Sequence, residues 1–187
     1  KDRGGADPGP GRPGGPGGAK RGFGKRANLV PNGFDEERFL LSRQAARRRE
    51  ASDGDGLLRL GYAGGSRTHQ RDFAVCAGAV AKVLQAWPNA RLVLFRDRQD
   101  TPLVDLEAYP ELLLLADRIE WRVMTPVAEL PHELARFDVN LAPVECGNLF
   151  CEAKSELKFF EAALAGVCTV ASPTGPFRRA VRHGETG

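Results

Sequence analysis

Short continuous apolar runs alternate along this chain with segments in which apolar residues return every three or four positions. Runs of this kind, bounded by glycine, proline or charged residues, predict buried strands at 57–65, 90–96, 119–125, 138–144 and 167–172. The periodic segments predict amphipathic helices at 71–88, 126–137, 155–166 and 175–184. The first of these helices is expected to bury Phe73, Cys76, Ala77, Val80, Val83, Leu84 and Trp87.

Strands that alternate with helices predict an α/β fold in which a doubly wound parallel sheet is covered on both faces. The continuous apolar character of the strands supports this fold, because parallel strands are usually buried on both sides. Ligands bind such a sheet beyond the carboxyl ends of its strands. This rule places four polar segments at one edge of the sheet, namely 64–72, 96–100, 142–156 and 172–176.

The first 26 residues consist mainly of glycine, proline and basic residues. Such a segment buries too little apolar surface to offset its ordering entropy, so 1–26 are predicted to be a disordered tail and 27–187 the domain. The basic residues allow RNA or an acidic membrane surface as a partner, but no stacking platform accompanies them, which favours a solvated tail. Inside the domain, the polar stretch 42–50 predicts a short exposed helix or a loop.

Composition narrows the class of function only slightly. The net charge of +3 suits an anionic ligand and does not single out a nucleic acid. No signal peptide and no apolar run of the ~20 residues that span a bilayer are visible, so a cytoplasmic location is expected, with a peripheral position at the cytoplasmic membrane face as an alternative. The four cysteines are then expected to be reduced, and Cys146 and Cys151 lack the further ligands of a metal site.

The predicted turn at 64–71 has the composition of an anion-binding loop. Gly65 lets the backbone approach an anion, the following helix directs its amino-terminal amides there, and Arg67 and Arg71 add positive charge. His69 lies in the same loop. The alternative is an ordinary strand-to-helix turn with solvated arginines, since the loop does not contain G-x-G-x-x-G.

The helix predicted at 155–166 carries two charged residues one turn apart. Its apolar face is predicted to be Leu157, Phe160 and Leu164, while Lys158 and Glu161 share another face. A lysine near the helix start suits a phosphate, and a carboxylate can accept hydrogen bonds from both hydroxyls of a ribose. The alternative is an exposed ion pair that contributes little to stability.

A second helix start that could bind an anion follows the last predicted strand. Thr174 and Gly175 precede a helix whose first residue is predicted to be Pro176. Arg178 and Arg179 fall in its first turn, where they oppose the helix dipole and favour a nearby acidic ligand. No Ser-His-Asp or Cys-His grouping and no hydrolase pair of carboxylates can be read from the sequence.

Three stretches carry a resemblance to a known family: "LVPNGFD", "LGYAGGSRTHQRDF" and the segment from "DVNLAPVECGNLFCEAKSELKFFEAALAG" to "HGETG". Over residues 28–187 the chain resembles the C-terminal, donor-binding half of GT-B glycosyltransferases of the group 1, or family 4, type. The order of elements from Asp138 onward carries most of the resemblance.

The resemblance implies a Rossmann-like domain that binds a nucleotide-diphosphate sugar and transfers the sugar with retention and without a metal or other cofactor. Glu161 would hold the ribose, and the diphosphate would meet Gly65, Arg67, Arg71, Lys158 and the backbone at Thr174 and Gly175. The acceptor, a glycan, lipid or small molecule, would bind mainly to an N-terminal domain. This chain is therefore expected to be a truncated donor half, inactive alone, with no specific nucleic-acid partner.

The sequence also departs from the family pattern. Ala153 stands where the family has its first glutamate, so Glu152, Glu145 and Asn148 are the candidates for contact with the sugar. Cys168 occupies a position at which proline is common. The missing glutamate keeps an alternative function in view, that of a non-catalytic scaffold or sugar-nucleotide sensor derived from a transferase.

Overall fold

Five parallel strands form the sheet in the part of the chain that the structure describes. The computed structural model describes residues 32–187, so the predicted tail at 1–26 and the predicted domain start at 27 lie outside the described residues. The strands are β1 Leu58–Gly61, β2 Ala90–Arg96, β3 Ile119–Val123, β4 Val139–Ala142 and β5 Cys168–Ala171. The α-helices of this part are α1 Glu36–Glu50, α2 Gln70–Ala86, α3 Pro110–Leu113, α4 Leu130–Leu134, α5 Leu149–Glu152, α6 Leu157–Leu164 and α7 Gly175–Ala180.

The strand order is β3-β2-β1-β4-β5, and every pairing is parallel. In β1, Leu60 is in register with Leu92 of β2 on one side and with Val139 of β4 on the other. The chain moves outward from β1 to β3 and then returns to place β4 against β1, which creates a crevice between the carboxyl ends of these two strands. This topology confirms the predicted Rossmann-like α/β fold.

Two apolar layers cover the sheet, one on each face. Leu92 and Leu94 of β2 pack with Phe73 and Leu84 of α2 on one face. Alternate residues of the same strand, Val93 and Phe95, face the other layer, which includes residues of α1, α4 and α6. Burial on both faces explains why the strand reads as a continuous apolar run.

The prediction that Leu157, Phe160 and Leu164 form the buried face of α6 is wrong. Leu157 is 41% exposed, and Phe160 and Leu164 are only partly buried, whereas Phe159 and Ala162 are buried. The segment from 157 to 164 is apolar on more than one face, so the period alone did not select the buried stripe. Docking of the helix against β5, α1 and α4 selects it.

The polar stretch 42–50 belongs to a longer helix than predicted. Helix α1 begins after Asp35, whose Oδ1 accepts a hydrogen bond of 2.7 Å from the Arg38 amide. It buries a narrow stripe of small residues, Ser42, Ala45 and Ala46, against the domain. Small residues allow close helix packing but add almost nothing to an apolar periodicity, which is why the pattern suggested exposure.

Continuous apolar strands were expected to be buried on both faces, but strand β5 is not. Cys168 is exposed and Val170 is 57% exposed, while Thr169 between them is fully buried. The strand lies at the edge of the sheet, and α6 packs against it. Trp87 of the helix predicted at 71–88 was also expected to be buried. It is 45% exposed because it lies at the end of α2.

Gly61→Ala is expected to destabilise the fold strongly. A β-carbon at Gly61 would overlap the ring of Phe137, which is fully buried. Overpacking of a core typically costs about 1–3 kcal/mol, and urea unfolding followed by circular dichroism measures the loss. Gly65→Ala is the matched control, because a β-carbon there would meet no atom within 4 Å. Equal midpoints for the two variants would contradict the packing of Phe137 on β1.

Candidate donor site

The crevice between β1 and β4 is lined by three segments. The loop after β1 continues through a 3₁₀ turn, Arg67–His69, into α2, and the loop after β4 contains the short helix α5. Helix α6 supplies the third segment, with Lys158 in its first turn. Residues 64–72 and 142–156 therefore meet at the carboxyl edge of the sheet, as predicted.

Lys158 is the most desolvated cation of this crevice. Its Nζ lies 4.5 Å from the centroid of the Tyr62 ring, which is a cation–π contact. Burial lowers the pKa of Lys158 to about 8, although the nearby Asp72 charge opposes the shift. Within residues 32–187 no oxygen forms a hydrogen bond or an ion pair with this ammonium group, so none of its three N–H donors has an acceptor in that range.

Glu161 lies one turn further along α6 and is partly buried. Burial raises the pKa of its carboxyl, while Arg38 and Lys158 act in the opposite direction. In the described part of the chain its carboxylate accepts no hydrogen bond and forms no ion pair with Lys158. The alternative of an exposed Lys158–Glu161 ion pair is therefore not what the structure shows.

Asp72 and Lys154 are residues of the crevice that the sequence interpretation did not single out. The Asp72 side chain is only 6% exposed, and its Oδ2 lies 2.5 Å from Lys154 Nζ and 3.3 Å from His69 Nδ1. Its Oδ1 accepts longer hydrogen bonds from the Glu145 amide, at 3.4 Å, and from Cys151 Sγ, at 3.5 Å. The sequence signal that could have identified Asp72 is its position directly before the core residue Phe73, on the buried side of α2.

The three candidates for sugar contact already have protein partners. The Glu152 carboxylate accepts hydrogen bonds of 3.3 Å from the amides of Gly147 and Gly175. Asn148 caps α5 by accepting from the Phe150 amide, at 3.0 Å. Its Nδ2 also donates to Glu145 at 2.9 Å. These bonds order the loop after β4, and contact with a sugar stays a prediction for all three.

The structure places the predicted diphosphate residues in different environments. Arg67 and Arg71 are exposed in the first loop, and Gly65 beside them has free space around its α-carbon. Thr174 is fully buried, and its amide donates to Ser172 O at 2.8 Å. Gly175, which begins α7, donates to Glu152. Of this set, Arg67, Arg71, Gly65 and Lys158 have groups that no contact within residues 32–187 uses, and the buried Thr174 Oγ1 also has no hydrogen-bond partner there.

A cavity of about 810 Å³ lies near the amino ends of β1 and β4. Arg49 there pairs with Asp138, and Arg59 pairs with Asp55 and Glu120, so these charges neutralise one another. His132 also lines this cavity. Because its charges are paired with one another, this cavity is a weaker candidate for an anionic ligand than the crevice.

The comparison with protein families decides the identity of the domain. A family model described as glycosyl transferases group 1 matches residues 58–187. The chain belongs to this family. The predicted resemblance is confirmed over the part that contains the sheet, the crevice and α6. No curated protein sequence matches the chain.

Solved structures of GT-B glycosyltransferases share the fold of this family member. One is the crystal structure of WaaG, a glycosyltransferase involved in lipopolysaccharide biosynthesis, with 14% identity, a TM-score of 0.53 and coverage of 82% of this chain and 40% of that one. Another is the pneumococcal O-GlcNAc transferase GtfA in complex with UDP and GlcNAc, with 14% identity, a TM-score of 0.52 and coverage of 73% and 25%. The chain thus spans less than half of either enzyme.

Two classes of feature are absent from the part of the chain that the structure describes. No helix within residues 32–187 has the length and apolar character that crossing a bilayer requires. In the same range, no group of three or more His, Cys, Asp or Glu side chains is arranged to hold a metal ion.

The buried charge of Lys158 predicts a pH-dependent stability. Between the folded pKa of about 8 and the unfolded pKa of about 10.4, the unfolded state binds a proton that the folded state has lost, so raising the pH stabilises the fold. Relative to Lys158→Met, the wild type should gain up to about 3 kcal/mol across this window. Taking the difference cancels the titration of Tyr62, whereas burial raises the pKa of Cys76 against the charge of Lys158, so the titration of Cys76 changes with the substitution. Chemical unfolding at several pH values measures it, and a constant difference would contradict the burial of the ammonium group.

Proposed function

We propose that residues 58–187 form the donor-binding domain of a glycosyltransferase that holds a nucleoside-diphosphate sugar in the crevice between β1 and β4. The observation that carries the proposal is the desolvated Lys158 ammonium group beside the Glu161 carboxylate, neither of which has a hydrogen-bond or ion-pair partner among residues 32–187. A buried charge without a partner is unfavourable for the fold alone. A diphosphate at Lys158 and a ribose diol at Glu161 would satisfy both groups.

The proposed reaction moves the sugar as an electrophile. When the bond from the anomeric carbon to the diphosphate breaks, negative charge grows on the leaving group. Lys158, Arg67 and Arg71 would stabilise that charge more in the transition state than in the ground state. The proposal assigns this task to fixed side chains rather than to a metal ion, and it includes retention of configuration at the anomeric carbon.

The acceptor is proposed to bind mainly outside residues 58–187. This chain spans 40% of WaaG and 25% of GtfA, so the larger part of each of those enzymes has no counterpart here. GtfA was crystallised with UDP and GlcNAc, which supports a nucleoside diphosphate as the leaving group in the present proposal. The domain supplies the donor part of the reaction, and transfer requires an acceptor-binding partner domain.

A non-catalytic sugar-nucleotide sensor is a second candidate. Ala153 replaces the glutamate that the family pattern has there, and Glu152 beside it is held by the amides of Gly147 and Gly175. A sensor would bind the same donor without releasing its sugar. Incubation with a nucleotide sugar and an acceptor-binding domain separates the two, since only a transferase produces free nucleoside diphosphate.

Isothermal titration calorimetry of the full chain tests the proposal. UDP, GDP and ADP are titrated against uridine, guanosine and adenosine, after circular dichroism has shown that the chain is folded. At least one diphosphate should bind tenfold or more tightly than its nucleoside, because a charge-assisted hydrogen bond contributes about 1.5–3 kcal/mol. A folded chain that binds none of the three diphosphates would refute the proposal.

A further inference from the structure

The contacts of Asp72 join the two loops that line the crevice. Asp72 and His69 belong to the segment after β1, whereas Lys154 and Cys151 belong to the segment after β4. The Glu145 amide, also after β4, adds a bond to the same carboxylate. A single buried carboxylate therefore fixes the separation of the two loops.

The Asp72–Lys154 pair is charged. Burial alone would raise the pKa of Asp72, but the hydrogen bond and the charge of Lys154 outweigh burial and lower it. The pKa of Lys154 is raised in turn, because its bond to Asp72 outweighs the effect of burial. Burial and the charges of Lys158 and Lys154 lower the pKa of His69, whose Nδ1 lies 3.3 Å from Asp72 Oδ2.

Lys154 remains accessible although it is paired. Its side chain is 22% exposed, and its Nζ lies 5.2 Å from the centroid of the Phe150 ring, which belongs to a residue that is 73% exposed. An ammonium group has three N–H donors, so one bond to Asp72 leaves others for a ligand in the crevice. A second cation is therefore held at a defined place near Lys158.

We propose that Asp72 is a positioning residue, which holds the Lys154 ammonium group where it binds the diphosphate of the donor. This inference rests on the proposed function and adds a residue and a role to it. Lys154 is the contact, and Asp72 acts only through Lys154 and through the loop that carries it. The competing explanation is that the pair merely joins two loops, with no effect on the ligand.

Asp72→Asn separates positioning from a simple charge effect by the sign of the result. Removal of a negative charge near an anion site tightens anion binding if only Coulomb forces act. Loss of the residue that positions Lys154 instead weakens binding. We expect the variant to bind the best nucleoside diphosphate at least fivefold more weakly and its nucleoside within twofold of wild type. Asp117→Asn makes the same charge change at an exposed position before β3 and should leave both affinities unchanged.

A double-variant cycle tests whether Asp72 acts through Lys154. Lys154→Met should weaken diphosphate binding at least fivefold, and Asp72→Asn with Lys154→Met should match it within twofold. The double variant removes both charges and so leaves no buried charge without its partner. Its affinity can therefore be measured even if Asp72→Asn alone fails to fold. Binding by Lys154→Met as tight as that of wild type would overturn the inference, as would losses that multiply in the double variant.

The outcomes for this inference and for the proposed function are distinct. Absence of diphosphate binding by the folded wild-type chain refutes the proposed function and this inference with it. Binding by wild type together with equal or tighter binding by Asp72→Asn refutes the inference alone. Weaker diphosphate binding with unchanged nucleoside binding supports it, because a loop made generally unstable would lose both ligands.

Discussion

Lys158→Met should bind a nucleoside diphosphate at least tenfold more weakly than the wild type and bind the matching nucleoside with unchanged affinity. The ammonium group is desolvated, and in residues 32–187 no acceptor satisfies it. A charge-assisted hydrogen bond contributes about 1.5–3 kcal/mol, which corresponds to roughly 10- to 150-fold in affinity. Methionine keeps the length and the apolar stem, so packing against Tyr62 is largely retained. Calorimetric titration of both ligands measures the two affinities.

Lys82→Met is the matched control for this prediction. Lys82 is an exposed residue of α2, at a distance from the amino-terminal turn that faces the crevice. The substitution removes the same charge, so it reports any effect of net charge on anion binding. Equal losses in the two variants would show that the effect is long-range, and an equal loss of nucleoside and diphosphate in Lys158→Met would show that Lys158 does not contact the diphosphate.

Glu161→Ala should remove the preference for ribose. If the carboxylate accepts hydrogen bonds from both ribose hydroxyls, the wild type binds a nucleoside diphosphate at least tenfold more tightly than its 2′-deoxy analogue, since a charged hydrogen bond is worth about 1.5–3 kcal/mol. The variant should bind both ligands with similar, weaker affinity. Competition calorimetry with the two ligands measures this difference, and a ribose preference that survives in the variant would contradict the assignment.

Stability provides an independent check on Glu161. Burial raises the pKa of this carboxyl, so the ionised group is unfavourable for the fold at neutral pH. Glu161→Gln should therefore melt no lower than the wild type, as is common for residues retained for function. Glu50→Ala, at the exposed end of α1, controls for the loss of one acidic residue. A lower melting temperature for Glu161→Gln, with binding unchanged, would assign Glu161 a structural role.

The sequence by itself determined the succession of strands and helices and the edge at which a ligand would bind. Continuous apolar runs such as 90–96 and the three- to four-residue period of α2 are local properties, and they require no knowledge of distant residues. Lys158 and Glu161 could be singled out for the same reason, because their spacing on one helix is local. The family resemblance supplied the class of reaction, which the periodicity could not.

Only the tertiary structure decided which groups are paired. It placed β4 beside β1, and so brought Lys154 within 2.5 Å of Asp72, 82 residues away in the chain. It buried Thr174 and occupied the Gly175 amide with Glu152, but left Lys158 and Glu161 without partners in the described residues. It also selected Phe159 and Ala162 as the buried stripe of α6. Desolvation and long-range pairing depend on atoms contributed by several elements, so no pattern within one segment can contain them.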